Sequence, residues 1–446
     1  MKILIAGNGA TGIYLAKQLS AEKQEVVLLG TDKNTLDQLD SSYNIMTMKG
    51  DMLNPADLKE AGVERAGLFV AVCPHQTINL TACQLARQLG AGCTVARIDN
   101  EWFLSDDLSK LFKHTGVDTL VYPEKLVAEE ILGYVDQNWL TKYVPIHTGQ
   151  LIVGGVKVAE ESPMAGSKLR DLTPGERHFH IGLVRRGKRF VIPRGDDSLM
   201  AGDTIFFISR PEHAPEVAAL TGPLNIKVKN IMIAGGGKIT RMICRLNNGR
   251  CHITVLEPDP DRAYALADEF PDVTVVNASP HQLTVLHDEE IAKMDLFLGL
   301  TESDETNIVG CMVAKEAGTK KTIAAIEDFT YIAEAERLWI DKVVNKKLIT
   351  SAAIMRYILG DTVKVGEFFS MEDADVVEIE VKEGAKITES CVKDLSLPAG
   401  MTFGGLIRHG RGMIISGDTQ LKVADRVLVI FQTGMLLKVQ KLFKEV

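Results

Sequence analysis

The chain has 446 residues, about three domains' worth at ~150 residues each, with 46% hydrophobic and 24% charged residues and a mean hydropathy of +0.05. That balance supports several packed cores and excludes a disordered chain, a collagen-like one and a disulfide-rich miniprotein. With 50 Lys and Arg against 59 Asp and Glu, the net charge is −9. This argues against a general nucleic-acid binder, whose affinity comes mainly from Lys and Arg.

No apolar run reaches the ~18–20 residues that a bilayer span needs. The chain opens directly on a strand-like Met1–Gly7, with no basic n-region or small-residue cleavage site, so no signal peptide is expected. Seven cysteines are scattered and none forms C-x-x-C. They read as small buried hydrophobes of a reducing compartment, and a cytoplasmic protein is the expectation.

Taken in chain order, Lys2–Ala6 predicts a strand and Thr11–Leu19 a helix with Ile13, Leu15, Ala16 and Leu19 on one side. Glu25–Leu29 predicts a strand, Asp32–Leu39 a short helix and Tyr43–Met48 a third strand. Leu68–Val72, Thr77–Leu89 and Thr94–Ile98 add strand, helix and strand. The alternation implies a parallel sheet with helices on both faces. Lys125–Asp136 predicts a joining helix. Leu151–Val158, Phe179–Val184, Arg189–Ile192 and Thr204–Ile208 then read as short strands between Gly, Pro and Asp turns, a small β-rich domain. The first pattern returns from Asn230 to about Val344, a second joining helix falls at Leu348–Leu359, and the β-rich pattern returns from about Asp375 to Val446.

The return is a repeat. Ile3–Gly9 recurs as Ile231–Gly237, and Leu68–Val72 with Asn79 recurs as Leu296–Leu300 with Asn307, both about 228 residues on. Gly182–Gly187 resembles Gly405–Gly410, and Leu199–Ile205 resembles Leu421–Val427. The expected fold is α/β: two Rossmann-like, doubly wound parallel-sheet domains, each followed by a small β-rich α+β domain. The expected bounds are N1 at residues 1–124, C1 at 140–222, N2 at 229–347 and C2 at 362–446.

Gly7-Asn8-Gly9-Ala10-Thr11-Gly12 is a G-x-G-x-x-G between a strand and a helix. The first Gly permits the turn, the second lets backbone approach a diphosphate, and the third lets helix pack on strand. The helix N-terminus supplies free N–H groups. In the second loop, Gly235-Gly236-Gly237-Lys238-Ile239-Thr240, the third small position is Thr240, which predicts looser helix–strand packing. Lys238 is a candidate for phosphate contact or a solvated residue at the helix start. Glu257, ~20 residues beyond the second loop, fits an acid for the ribose hydroxyls. Its N1 counterpart is Gly30, so the two crevices are expected to be unequal. Asp32 is a substitute for that acid or a cap of the next helix. Asp51 is an adenine-side contact or a turn residue. Arg97, at a strand end, must find a phosphate, Asp99 or a neighbouring subunit, and Glu327 holds its place in N2.

No catalytic constellation, P-loop or H-E-x-x-H is present, and no metal site is expected. His178 and His180 stand two apart with no Cys or third His nearby in sequence, and read as ordinary histidines. An NAD-dependent dehydrogenase is the competing class, but the β-rich units offer no acid–base group to face a nicotinamide.

The glycine loop, Gly50-Asp51, Ala71-Val72, Asn79, Ala96-Arg97, Pro123-Glu124, the Leu-x-Ala-Gly-Asp phrase and Thr301–Asn307 together resemble the potassium-conductance-regulating family. The doubled arrangement is similar to that of the cytoplasmic NAD-binding subunits of bacterial Trk-type potassium uptake systems. The resemblance implies a non-enzymatic regulator that binds NAD(H), with ATP or ADP possible, and assembles as a homo-oligomer, a dimer or tetramer. It further implies a protein peripheral on the inner face of the cell membrane that gates a membrane-embedded potassium transporter; the acidic charge adds that no nucleic-acid partner is expected. Carried over, the resemblance assigns the phosphate loops to Gly7–Thr11 and Gly235–Ile239. It assigns the loops after the fourth strands to Cys73, Pro74, Thr301 and Glu302, the basic residue to Arg97 and the ribose acid to Glu257. Gly30, Cys73–Gln76 and Asn277–Ser279 depart from the family's pattern.

Overall fold

The computed structural model describes residues 2–146, 149–172, 178–187, 189–222, 226–280, 290–338, 340–360, 365–371 and 374–443. Two compact units emerge, one from residues 1–16, 26–138 and 226–351, the other from residues 17–25, 139–225 and 352–446. Like therefore groups with like, and the chain runs from one unit to the other and back.

N1, which apart from residues 17–25 lies in the first unit, contains β1 (Lys2–Ala6), α1 (Ala10–Ala21), β2 (Glu25–Gly30), α2 (Lys33–Ser42), β3 (Met46–Lys49), α3 (Pro55–Glu60), β4 (Leu68–Ala71), α4 (Gln76–Gln88), β5 (Cys93–Arg97), α5 (Asp106–His114), β6 (Thr119–Val121) and α6 (Pro123–Asp136). Its sheet order is β3-β2-β1-β4-β5-β6, and the registers are parallel. The strand order reverses between β1 and β4, where a crevice opens beyond the carboxyl ends of the strands. β1 and β4 are almost continuously apolar and buried, as strands covered on both faces must be.

The β-rich unit begins with β7 (Lys142–Ile146), β8 (Leu151–Lys157), β9 (Phe179–Arg186), β10 (Arg189–Val191), β11 (Thr204–Ser209) and α7 (Ala214–Thr221). N2 then repeats N1 with β12 (Asn230–Ala234), α8 (Lys238–Asn247), β13 (His252–Leu256), α9 (Pro260–Glu269), β14 (Thr274–Val276), β15 (Leu296–Gly299), α10 (Asp304–Glu316), β16 (Lys321–Ala325), α11 (Phe329–Arg337), β17 (Lys342–Val344) and α12 (Lys346–Gly360). Its sheet order is β14-β13-β12-β15-β16-β17, the N1 order again. C2 closes the chain with β18 (Val365–Met371), β19 (Ala374–Glu380), β20 (Met401–Arg408), β21 (Arg411–Ile414), β22 (Arg426–Gln432) and α13 (Leu436–Phe443).

α6 is more than the joining helix the sequence predicts. Pro123 opens it, and Val127, Ala128, Ile131 and Leu132 are buried in one core with Ile231, Ile243 and Val255 of N2, with α6 packed on α8. Asn138 at its end exchanges two hydrogen bonds with Ile226, donating to its carbonyl at 2.6 Å and accepting from its N–H at 2.9 Å. Ion pairs across this face join Arg245 to Glu101, Arg250 to Asp136, Lys342 to Glu130 and Lys346 to Glu124. In each, N2 supplies the cation and N1 the carboxylate. Tyr14 also stacks on Phe329, with ring centroids 5.0 Å apart.

C1 and C2 are antiparallel sheets of the same topology, β10-β9-β11-β8-β7 and β18-β19-β22-β20-β21. Their inner faces share one core, including Leu151, Leu183 and Ile208 from C1 and Val376, Leu428 and Ile430 from C2. The contact is reciprocal: a Cβ on Gly182 would stand 2.0 Å from Ile430 Cδ1, and one on Gly404 would stand 2.1 Å from Ile208 Cδ1. This corrects the register of the repeat by one residue, because Gly182 corresponds to Gly404 rather than Gly405. Two ion pairs confirm the shift. Arg186 Nη2 holds Asp203 at 2.8 Å, and Arg408 Nη2 holds Asp425 at 2.6 Å, so the aspartate of the Leu-x-Ala-Gly-Asp phrase is a buried anchor.

Candidate functional site

The second crevice opens onto a defined cavity. β12 ends at Ala234, and Gly235 turns the chain at φ +103, a left-handed value that favours glycine. A Cβ there would meet Leu300 O at 2.9 Å. Gly237 then caps α8 with no side-chain acceptor, so the first N–H groups of the helix face outward unclaimed by a cap. They look into a cavity of ≈ 480 Å³ lined by Gly236, Gly237, Lys238, Ile239, Thr301 and Glu302, six of the predicted residues. Arg241, Arg262, Asp304, Glu327 and Lys346 join them, and Glu124 and Val127 of α6 complete the wall. The volume falls within the ~300–1,000 Å³ of small-molecule sites.

Glu257 lies behind the loop, almost wholly buried. Its Oε2 accepts from Gly236 N–H at 2.7 Å, and its Oε1 accepts from Asp259 N–H at 2.9 Å and lies 3.2 Å from Arg262 Nη2. Asn277, one of the departures from the family's pattern, donates to the Glu257 carbonyl at 2.9 Å and ties the ends of β13 and β14 together. Lys238 lines the cavity and is not merely solvated. Its Nζ donates to the Asp99 carbonyl of N1 at 2.8 Å. Thr240 does not loosen the packing either. It is fully buried, and its hydroxyl donates to Gly235 O at 2.6 Å, which turns a steric problem into a bond. In N1 a Cβ at Gly12 would stand 1.9 Å from the matching Gly7 O, and glycine is required.

Opposite the loop, burial alone would raise the Glu327 carboxyl. Lys346 at 3.2 Å and Lys347 at 3.4 Å outweigh it and hold that carboxyl below its ordinary range. The cavity therefore carries both signs of charge at fixed places: Arg262 and the α8 N-terminus on one side, and Glu327 between two lysines on the other.

The N1 crevice is built from the same parts with different polar groups. Gly7, at φ +117, passes so close to the next loop that a Cβ would stand 3.0 Å from Cys73 N, and its N–H donates to Leu29 O at 2.9 Å. Asn8 fills the space over Gly30, where a Cβ would be 2.4 Å from Asn8 Cγ, and its Nδ2 donates to Asp32 O at 3.2 Å. Ala10 and Thr11 open α1, and Gly9 has open space at its Cβ position. Asp32 takes the helix-cap alternative: its carboxylate accepts from Asn34 N–H at 3.1 Å and from the Thr35 hydroxyl. Asp51 takes the turn alternative, accepting from Leu53 N–H at 2.9 Å. Cys73 precedes Pro74 in the loop after β4. Burial pushes its thiol up, against the His75 backbone and the nearby Arg97, and its Sγ donates to His75 O at 3.3 Å. Arg97 is half-buried at the end of β5, and its guanidinium makes no hydrogen bond or ion pair among the described residues, with Asp99 or otherwise. The strand ends correct the expected match of Arg97 with Glu327 by two residues: Arg97 closes β5 as Ala325 closes β16, and Glu327, which is paired, stands where N1 has Asp99.

In the sequence Asn79 and Asn307 are marks of the repeat and of the family resemblance, and in the fold they clamp a loop. Both are buried at the start of the helix after the fourth strand. Asn307 accepts from Thr301 N–H at 2.8 Å and donates to Thr301 O and Ala325 O, clamping the loop to the end of β16. Asn79 does the same for Cys73 and Arg97. Arg262 and Lys346 were missed because nothing in their local spacing marks them. Only the fold brings them to the cavity.

The strand order and the two glycine-loop crevices define a duplicated Rossmann-type protein whose sheet domains alternate with small β-rich domains. The TrkA-N domain model matches residues 3–123 and 231–346, and the TrkA-C domain model matches residues 153–222 and 376–444. The chain belongs to the TrkA family. It is 26% identical to "Trk system potassium uptake protein TrkA" of Azorhizobium caulinodans, covering 100% of this chain and 99% of that one. It is 28% identical to the protein of that name from Haemophilus influenzae, with the same coverage. Among solved structures it resembles the GsuK RCK domain, with a TM-score of 0.61 and 13% identity over 99% of this chain and 94% of that one. It also resembles the GsuK channel bound to NAD, with a TM-score of 0.60 and 15% identity over 99% and 78%. Among the described residues, no helix is long and apolar enough to cross a membrane.

Proposed function

We propose that this chain is a non-catalytic regulatory subunit that binds NAD(H), with ATP or ADP as competing ligands. It sits on the cytoplasmic face as a homo-oligomer and gates a membrane-embedded potassium transporter. The observation that carries the reading is the N2 crevice: an uncapped helix N-terminus over a glycine turn, with a buried acid behind it and a cavity in front. The α8 N–H groups fit the diphosphate of a dinucleotide, and the reading assigns a ribose hydroxyl to Glu257, which stands behind the loop with its oxygens already accepting from Gly236 and Asp259 N–H. In N1, Arg97, whose guanidinium has no partner among the described residues, takes the part of an anion contact, with Gly7, Asn8, Gly9, Ala10, Thr11 and Gly12 as the loop. The names of the full-length relatives supply potassium uptake, and the NAD-bound channel of like fold supplies the ligand class.

A ligand shifts a conformational equilibrium only by binding one state better than the other. Moving from ~1:99 to ~99:1 takes about 5.5 kcal/mol of differential binding, which several crevices in an assembly can share. The N2 cavity has two walls from different repeats, so a ligand in it bears on the N1–N2 face. Calorimetric titration of NAD⁺, NADH, ATP and ADP into the full chain and into Gly9 and Glu257 variants tests the proposal. Binding that the variants weaken supports it. Absence of binding, turnover of NADH with a metabolite panel, or normal potassium accumulation in cells lacking the protein overturns it.

A further inference from the structure

We propose that C1 carries a binding site for one divalent transition-metal ion of the Zn²⁺ class, formed by His178, His213 and Glu216. The three residues come from two elements. His178 immediately precedes β9, His213 is the residue before α7, and Glu216 lies in the first turn of α7. Their candidate ligand atoms all lie within 4.8 Å of one another. His178 Nδ1 is 2.9 Å from both carboxylate oxygens of Glu216, and His213 Nδ1 is 2.9 Å from Oε1. The rings stack at 4.1 Å with an interplanar angle of 18°. His180, two residues on, goes elsewhere, its Nε2 lying 3.4 Å from the Thr402 hydroxyl. The sequence pair therefore separates, and the fold substitutes a partner 35 residues downstream of His178.

The donor set selects the ion. Two imidazole nitrogens and one carboxylate suit Zn²⁺ and its neighbours, whereas Ca²⁺ and Mg²⁺ take oxygen ligands in larger number. Three protein ligands leave further positions for water, which the site can admit, since the side chains of His178, His213 and Glu216 are 37%, 25% and 45% exposed. Ligation through Nδ1 places the ring proton on Nε2 and splays the stacked rings so that both lone pairs converge.

The repeat supplies an internal comparison. The corresponding C2 positions, 222 residues on, are Gly400, Met435 and Lys438. The fold brings at least the first two together there also, since a Cβ on Gly400 would stand 3.2 Å from Met435 Sδ. The juxtaposition is thus a property of the architecture. C1 furnishes it with two imidazoles and a carboxylate, while C2 furnishes it with a thioether and a cation that repels metal.

The test uses the full chain, stripped with a chelator and titrated with Zn²⁺ against a chromogenic competitor. The wild type is expected to take up one Zn²⁺ through this site, and His213→Ala and Glu216→Gln are each expected to weaken that uptake about 100-fold. Far-ultraviolet circular dichroism establishes that both variants are folded. Cobalt substitution separates this site from the free cysteines: visible d–d bands without a thiolate charge-transfer band are expected. A wild type without micromolar uptake, uptake equal in folded variants, or a cobalt spectrum dominated by thiolate overturns the assignment.

Discussion

Replacing Gly237 with Val asks whether the second loop seats a phosphate or is only a turn. A Cβ at Gly237 meets no atom within 4 Å, and its φ of −71° suits any residue, so the fold itself makes no demand for glycine there. The folding cost is confined to a poorer N-cap, about 1 kcal/mol. A phosphate oxygen on the α8 N–H groups must approach to about 2.7–2.9 Å, through the space the valine methyls would take. Loss of one charge-assisted hydrogen bond costs about 1.5–3 kcal/mol, which is ~10–150-fold in Kd. Calorimetry with NADH reads the affinity, and thermal unfolding reads the fold. The contrasting variant is Gly12→Ala. Its Cβ would lie 1.9 Å from Gly7 O, and overpacking of that kind costs about 1–3 kcal/mol or more. Unchanged NADH affinity in the Gly237→Val protein would refute the seat, and a collapsed melting temperature would refute the claim that this glycine is kept for a ligand.

Asn307→Ala should destabilise the chain by about 2 kcal/mol or more, because Thr301 N–H and Ala325 O each lose a partner. Denaturant unfolding checks this, and a change below ~0.5 kcal/mol would mean that the clamp is dispensable. Arg97→Ala should leave the melting temperature within a degree or so, since the guanidinium has no partner among the described residues, and should weaken nucleotide binding at N1. Asn138→Ala should speed amide exchange at Ile226 and in the residues after it, because the reciprocal pair that holds them is removed. At Asp203, burial raises the carboxyl but Arg186 and Met200 N–H bring it below its ordinary range, and Glu327 is held low by its lysines. Both titrate lower folded than unfolded. Their stabilisation is present above the ordinary carboxylate range, about pH 4, and is lost as pH falls through the folded values. Melting temperatures across that range should show the loss, with a shallower slope in Arg186→Met; an identical slope would place the dependence elsewhere.

The parallel sheets were legible because buried strands and glycine turns are local signals. Lys2–Ala6 was predicted to the residue, and Leu68–Val72 and Glu25–Leu29 to within one. β6 spans three residues, too few to show a period, and β7 carries a Pro that argues against a strand, so neither was seen. Asp32 and Asp51 had two readings each because one carboxylate serves a cap or a ligand equally well, and only their hydrogen-bond partners separate them.

By itself, then, the sequence determined the duplication, the two fold types and the glycine loops, since each is written in contiguous residues that obey short-range rules. Tertiary structure alone decided that N1 pairs with N2 and C1 with C2. Those contacts join residues about a hundred or more positions apart, such as Glu101 with Arg245 and Gly182 with Ile430. It also decided that Lys238 reaches Asp99, and that α6 walls the N2 cavity. The physical reason is the same throughout: a charge or a buried face states that it needs a partner, but only the folded chain says which partner arrives.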